Sequence, residues 1–141
     1  MAFSVTGKGD IATFRAGDTF TAGLVVQFGG NSTTGIHVDR ADATATGMII
    51  GVTLGGASLT GEAIEILLAA PIAKVQCALS VSAGAIVGPN TGTGGQIVER
   101  PNPGTVTTVL LPTLGLALEA GDTNSVISVL LLPTNISPSD G

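Results

Sequence analysis

Side chains able to act on a substrate are scarce in this chain. Its single histidine, His37, lies in Ile36-His37-Val38-Asp39, where an extended backbone puts His37 and Asp39 on one face. With Asp42 close behind, the three bear the donor atoms of a metal site. They all come from one loop, however, with no second His and no pair of Cys to complete a coordination sphere, so a solvated loop histidine is the reading that fits. A hydrolytic triad needs a nucleophile, a base and a group that orients the base, and one histidine is a thin basis for it. Gly7-Lys8-Gly9-Asp10-Ile11-Ala12 matches a relaxed glycine-rich dinucleotide pattern, but no strand, helix and second strand surround it, and it reads as a turn. Glu62, Glu65, Glu99 and Glu119 are carboxylates in a chain without Trp or Tyr to stack a sugar ring, which argues against both a glycosidase pair and a carbohydrate-binding platform. The sequons at Asn31 and Asn135 are what chance supplies in a chain rich in Ser and Thr. The expectation is a protein that is no enzyme, with no cofactor and no metal.

Composition points instead to a surface in need of cover. The 141 residues suit one domain. Hydrophobic residues make up 44% and aromatics 3%, so the interior has to be built from Val, Ile, Leu and Ala. Charged residues are 11%, well under the roughly 25% of an ordinary soluble domain, and mean hydropathy is +0.56. No apolar run reaches the ~20 residues of a membrane helix, so no membrane is expected as the cover. Self-association or docking on a partner covers excess apolar surface most simply. The five basic residues, Lys8, Arg15, Arg40, Lys74 and Arg100, are scattered in a chain of net charge −5, so nucleic acid is not expected as a partner. The first residues lack the cationic and apolar stretches of a secretory signal, and formation in a cytoplasm is expected. Cys77 is the single cysteine; no internal disulfide is available, and its alternating neighbourhood predicts a buried thiol.

Glycine numbers 21 and punctuates short β-branched runs along the whole chain, the rhythm of strands and turns. In Ile72 to Leu79, Ala73, Val75, Cys77 and Leu79 alternate with Lys74 and Gln76. Ile64, Ile66 and Leu68 alternate likewise in Ala63 to Leu68. Further strands are predicted at Phe3 to Thr6, Ile11 to Arg15, Leu24 to Phe28, Met48 to Leu54, Gln96 to Glu99, Val106 to Leu111, Leu114 to Leu118 and Val126 to Leu132, with at most one helical turn within Ala41 to Met48. The Gly-bearing turns at Gly17, Gly61, Gly84 and Gly121 offer cheap positive φ just ahead of strands. Gly88 to Gly95 reads as a long polar loop. Ile50 to Leu54 followed by Ile64 to Leu68 is echoed by Leu114 to Leu118 followed by Ile127 to Leu131, two similar hairpins in one sheet system. The fold class is therefore all-β, a compact β-sandwich or β-barrel-like domain of about ten short strands with irregular terminal arms: one domain over 1–132 including an N-terminal arm, then an irregular tail over 133–141.

Several of these segments together resemble the capsid decoration, or cement, proteins of tailed bacteriophages, including prophage head decoration domains. The residues are Arg15-Ala16-Gly17-Asp18, Gly51-Val52, Gly61-Glu62-Ala63-Ile64-Glu65-Ile66, Ala73-Lys74-Val75-Gln76-Cys77 and Gly115-Leu116-Ala117-Leu118-Glu119-Ala120-Gly121 leading to the apolar Val126 to Leu132. The likeness runs from about Thr6 to Leu132 and departs at Gly88 to Gly95 and in the proline-bearing tail. It implies a homo-oligomer, commonly a trimer, on the outer surface of a virion capsid, with the major capsid protein as partner and reinforcement of capsid joints as the function. Both faces of the strand ending Leu130, Leu131 and Leu132 turn apolar, which places the oligomer interface there. The aromatic-rich N-terminal segment marks Phe3, Val5, Ile11 and Phe14 as capsid contacts. A head-fibre or spike-base module of a virion shares the β-rich, low-charge character, as does an exported adhesin-like module, which needs an export signal.

Overall fold

The computed structural model describes residues 10–32, 35–41, 49–69, 71–90, 94–100 and 111–136. The strand expected at Phe3 to Thr6, the helical turn beyond Ala41 and most of the strand expected at Val106 to Leu111 lie outside them. Every regular element among the described residues is a β-strand: β1 Asp10–Ala16, β2 Val25–Ser32, β3 Gly35–Arg40, β4 Ile49–Thr53, β5 Ala63–Ala69, β6 Ile72–Gln76, β7 Ile86–Pro89, β8 Ile97–Glu99, β9 Leu111–Ala117 and β10 Val126–Ile136. The first five close into a barrel in the order β1-β3-β2-β4-β5, and the last five form a sheet in the order β6-β10-β9-β7-β8. No helix among the described residues is long and apolar enough to cross a membrane.

Several boundaries differ from the sequence reading, and four of the differences have a clear physical reason. Segment 35–40, expected as a loop, is a strand paired in parallel with β1 and antiparallel with β2. Its apolar Val38 faces the core while His37 and Asp39 face out, too polar an alternation to announce a strand. β7 takes in Gly88 and Pro89, which pair with Val98 and Ile97, so the polar loop starts later. β6 stops at Gln76. Beyond it Cys77 N donates to Ser125 O while Ala78 N donates to Ile97 O, so the chain leaves β10's side for β8 and Leu79 is turned out, 59% exposed. The tail expected to be irregular from Pro133 instead stays in β10 as far as Ile136, because β9 is long enough to pair with it through Thr134↔Thr113 and Ile136↔Leu111. The register shift between Leu131 and Thr134 lets Pro133, which has no N–H to give, pass without breaking the ladder.

The second half repeats the first, strand for strand. β1·β5, β4·β5, β2·β4 and β2·β3 are antiparallel, and so are their counterparts β6·β10, β9·β10, β7·β9 and β7·β8. The parallel contact Ala16↔Val38 that closes the barrel has its twin in the parallel bridge Cys77↔Ile97, where the edges of the second sheet meet. The bridge Phe20↔Ala57 is matched by Val81↔Gly121. Single hydrogen bonds recur too: Ala16 N to Glu62 O (2.8 Å) and Cys77 N to Ser125 O (2.8 Å); Gly23 N to Thr53 O (2.9 Å) and Gly84 N to Ala117 O (2.7 Å); Gly61 N to Ala16 O (2.7 Å) and Asn124 N to Cys77 O (2.8 Å). The hairpin echo in the sequence is thus the visible part of a repeat covering both halves, with one hairpin in each sheet.

Two cores follow. Ala16, Phe20, Leu24, Val26, Val38, Ala57, Ile64 and Ile66 fill the first barrel, with Phe14 packed against them. The other core lines the second sheet with Val75, Cys77, Val81, Val87, Ile97, Leu114, Ile127 and Val129, and takes in Val25, Ala41, Val52 and Leu67 from the outside of the first barrel. That crossing joins the halves. Gly23 makes the close approach: in the left-handed region at φ 83°, its oxygen accepts from Gln76 N at 2.8 Å, and an added Cβ would stand 3.2 Å from the Lys74 oxygen. Gly95, also left-handed, accepts from Val25 N and donates to Ala41 O. Thr53, almost fully buried, is satisfied by donating to Thr21 O at 2.7 Å and accepting from Leu24 N at 3.0 Å.

Candidate assembly surface

The residues with chemical capacity are held apart. On β3, His37 and Asp39 do share the outward face and lie over Gly17 and Gly29, whose missing side chains make the room: a Cβ on Gly29 would come within 2.7 Å of both. Asp18 accepts from Arg40 N at 3.1 Å, and Arg40 reaches back to Thr19 through its Nε at 2.8 Å. Burial, with the Asp18 carboxylate adding to it and His37 opposing, raises the Asp39 carboxyl above its ordinary value. Asp42 lies outside the described residues. No group of three or more His, Cys, Asp or Glu gathers among the described residues as a metal site would need. Cys77 is buried as expected, and burial first, then Asp122 and Glu119, push its thiol up, away from the thiolate that a nucleophile requires.

The outer face of the second sheet carries a different kind of site. Alternation turns Ala73, Val75, Ile127, Val129 and Ala117 inward and leaves Ile72, Lys74, Val126, Ser128, Leu130, Leu116, Leu118 and Ile86 outward. Register sets four apolar side chains side by side across β6, β10, β9 and β7: Ile72 opposite Leu130, Leu130 opposite Leu116, Leu116 opposite Ile86. Ile86 is 41% exposed and the other three are half-buried; Leu118, 44% exposed, extends the patch. Beside it runs a polar row in which Lys74 Nζ donates to Ser128 Oγ at 2.7 Å and approaches Glu119 at 3.5 Å. Glu119 also accepts from Ser128 N at 2.9 Å; that bond, followed by the Ser128 hydroxyl and Lys74, holds its carboxyl below the usual range. An apolar centre with a polar border is the anatomy of an association surface.

The residues expected at interfaces are distributed unevenly over this geometry. Leu130 lies in the apolar row, whereas Leu131 turns to the opposite face of β10 and packs on the inner core. Leu132 is placed in β10 by its backbone alone. Ile11, 51% exposed, and Phe14, packed into the first barrel, point to opposite faces of β1. Phe3 and Val5 lie outside the described residues. Leu116 and Ile86 were not singled out from sequence, because each becomes a neighbour of Leu130 only through strand pairing distant in the chain.

No family model matches the chain, and no curated protein matches it. Among solved structures, the fold matches the head fiber gp8.5 N base in bacteriophage phi29 with a TM-score of 0.68, over 91% of this chain and 98% of that one, at 13% sequence identity. At that identity the likeness is one of fold.

Proposed function

We propose that this chain is a structural protein of a tailed-phage head, seated on the outside of the capsid. The observation that supports it most is the match of fold to a head fibre base over nearly the full length of both chains. Fold by itself hosts many functions. One further feature agrees: an apolar outer face with a polar border. The base of a head fibre and a capsid decoration protein are two forms of this role, with the major capsid protein as the partner and self-association into a small ring, such as a trimer, as the working assembly. The structural likeness favours the fibre base. The sequence likeness over Arg15 to Asp18 and Gly115 to Gly121 favours decoration.

Adding the purified protein to phage heads and imaging them separates these forms. Binding at regular outer sites with a higher melting temperature of the shell is the decoration result. Attachment that leaves shell melting unchanged is the fibre-base result. A protein that ignores heads at micromolar concentration defeats both.

A further inference from the structure

The two ends of the first barrel differ. One end is closed by the loops after β1 and β4, where Phe20 and Ala57 exchange hydrogen bonds of 2.8 and 3.0 Å and both are buried. The middle is filled by Phe14, Val26, Val38 and Ile66. At the other end, strand alternation adds one more ring of inward side chains. Ala12 stands two residues before Phe14 on β1, Ile36 two before Val38 on β3, and Leu68 two after Ile66 on β5. Phe28 of β2 lies opposite Val38 in the ladder, and Ile50 of β4 packs with Leu68 on the core beneath. Each of the five strands thus supplies one apolar side chain to this rim. Phe28 and Ile36 keep 49% and 50% of their exposure, whereas Val26 and Val38, one step inward on the same strands, keep none.

β1 begins at this rim, because Asp10 and Ile11 pair with Ala69 and Leu67, the neighbours of Leu68. Segment 1–9 therefore joins the barrel at the edge of its apolar mouth, and its sequence suits that place. Met1, Phe3 and Val5 fall on one side of an extended chain, and Gly7-Lys8-Gly9 permits a reversal just before the rim. Nine residues reach at most ~30 Å. A mouth ringed by five strands about 4.8 Å apart is on the order of 10 Å across, so the reach is ample.

We propose that segment 1–9 folds back over this mouth and seats Phe3 and Val5 against Phe28, Ile36, Ile50 and Leu68, completing the core of the first barrel. Phe3 and Val5, expected against the capsid, are then committed to their own chain. The inference stands on the barrel and does not depend on a place in a virion.

Methyl and aromatic NMR of the full chain tests it, since four Phe with no Tyr or Trp leave the aromatic region simple. The parent is expected to show contacts from the Phe3 ring to the methyl groups of Ile36, Ile50 and Leu68 that persist on dilution. Phe3→Ala removes them and lowers the folding equilibrium constant, measured in urea, by roughly 10-fold or more, as loss of a buried phenylalanine does. Ser4→Ala, on the other side of the segment, changes neither. The contacts in the parent decide the matter even if Phe3→Ala fails to fold. Their absence, or a Phe3→Ala variant as stable as the parent, overturns the proposal. So do contacts that vanish on dilution, since the seated segment then belongs to a neighbouring copy; the virion role survives each of these results.

Discussion

At the scale of the residue, the polar groups in this protein shape the backbone and its packing. Asp39 illustrates it. Its carboxyl is raised by burial and by Asp18, so the folded state keeps the proton to higher pH than the unfolded chain. Native stability contributed by this group therefore falls as pH climbs from the ordinary Asp value through the raised one, and the cost is fully present once pH exceeds both. Asp39→Asn removes the charge and keeps the shape. It is expected to melt above the parent at pH 7, with the advantage vanishing below about pH 4. Thermal melts across pH check this; a variant that melts below the parent at pH 7 would show that the attraction to His37 outweighs burial.

Turns and strands show a regularity that single residues conceal. Of the four glycines expected to exploit positive φ, Gly61 (φ 89°) and Gly84 (φ 85°) do so. Gly17 and Gly121 serve close packing instead: a Cβ on Gly121 would meet Ile127 at 2.5 Å. In the hairpin between β9 and β10 the left-handed residue is Asn124 (φ 66°), the repeat counterpart of Gly61, and each donates its N–H out of its turn to the end of a neighbouring strand, Asn124 to Cys77 O after β6 and Gly61 to Ala16 O of β1. Asn tolerates this conformation and Ala does not. Space around Gly61 is open, so sterics with neighbours do not enter. Gly61→Ala is expected to cost about 1–2 kcal/mol, and Gly61→Asn less than half as much, as the twin turn already carries Asn. Urea denaturation measures both; equal losses would break the equivalence of the turns.

For the whole molecule, the consequence of the shared core is cooperativity. Parting the halves would bare Val25, Val52 and Leu67, and burial of each such side chain contributes roughly 1.5–3 kcal/mol. Hydrogen bonds from Gln76 to Gly23 and from Val25 to Gly95 would go with them. The two halves are thus expected to unfold together, in one calorimetric transition whose calorimetric and van't Hoff enthalpies agree. Two separated transitions would mean that each half is stable without the other.

What the sequence by itself determined was the local and alternating part of this design. Ala63 to Leu68 and Ile11 to Arg15 were legible as strands because side chains two apart share a face, and Cys77 was legible as interior for the same reason. One hairpin pair was visible as an echo, since Ile50 to Leu68 and Leu114 to Leu131 keep similar apolar runs. The rest of the repeat was hidden: Phe20 and Val81, or Gly61 and Asn124, hold one place with different residues, because a backbone hydrogen bond is indifferent to the side chain it passes. Only the tertiary structure decided which apolar residues are shared between the halves and which stay in water. Val25 and Ile86 are alike in size and chemistry, and nothing in their neighbours along the chain says that one is sealed and the other 41% exposed. Burial on the outside of a sheet depends on what the chain lays over it from far away, and that pairing of distant surfaces is written in no local pattern.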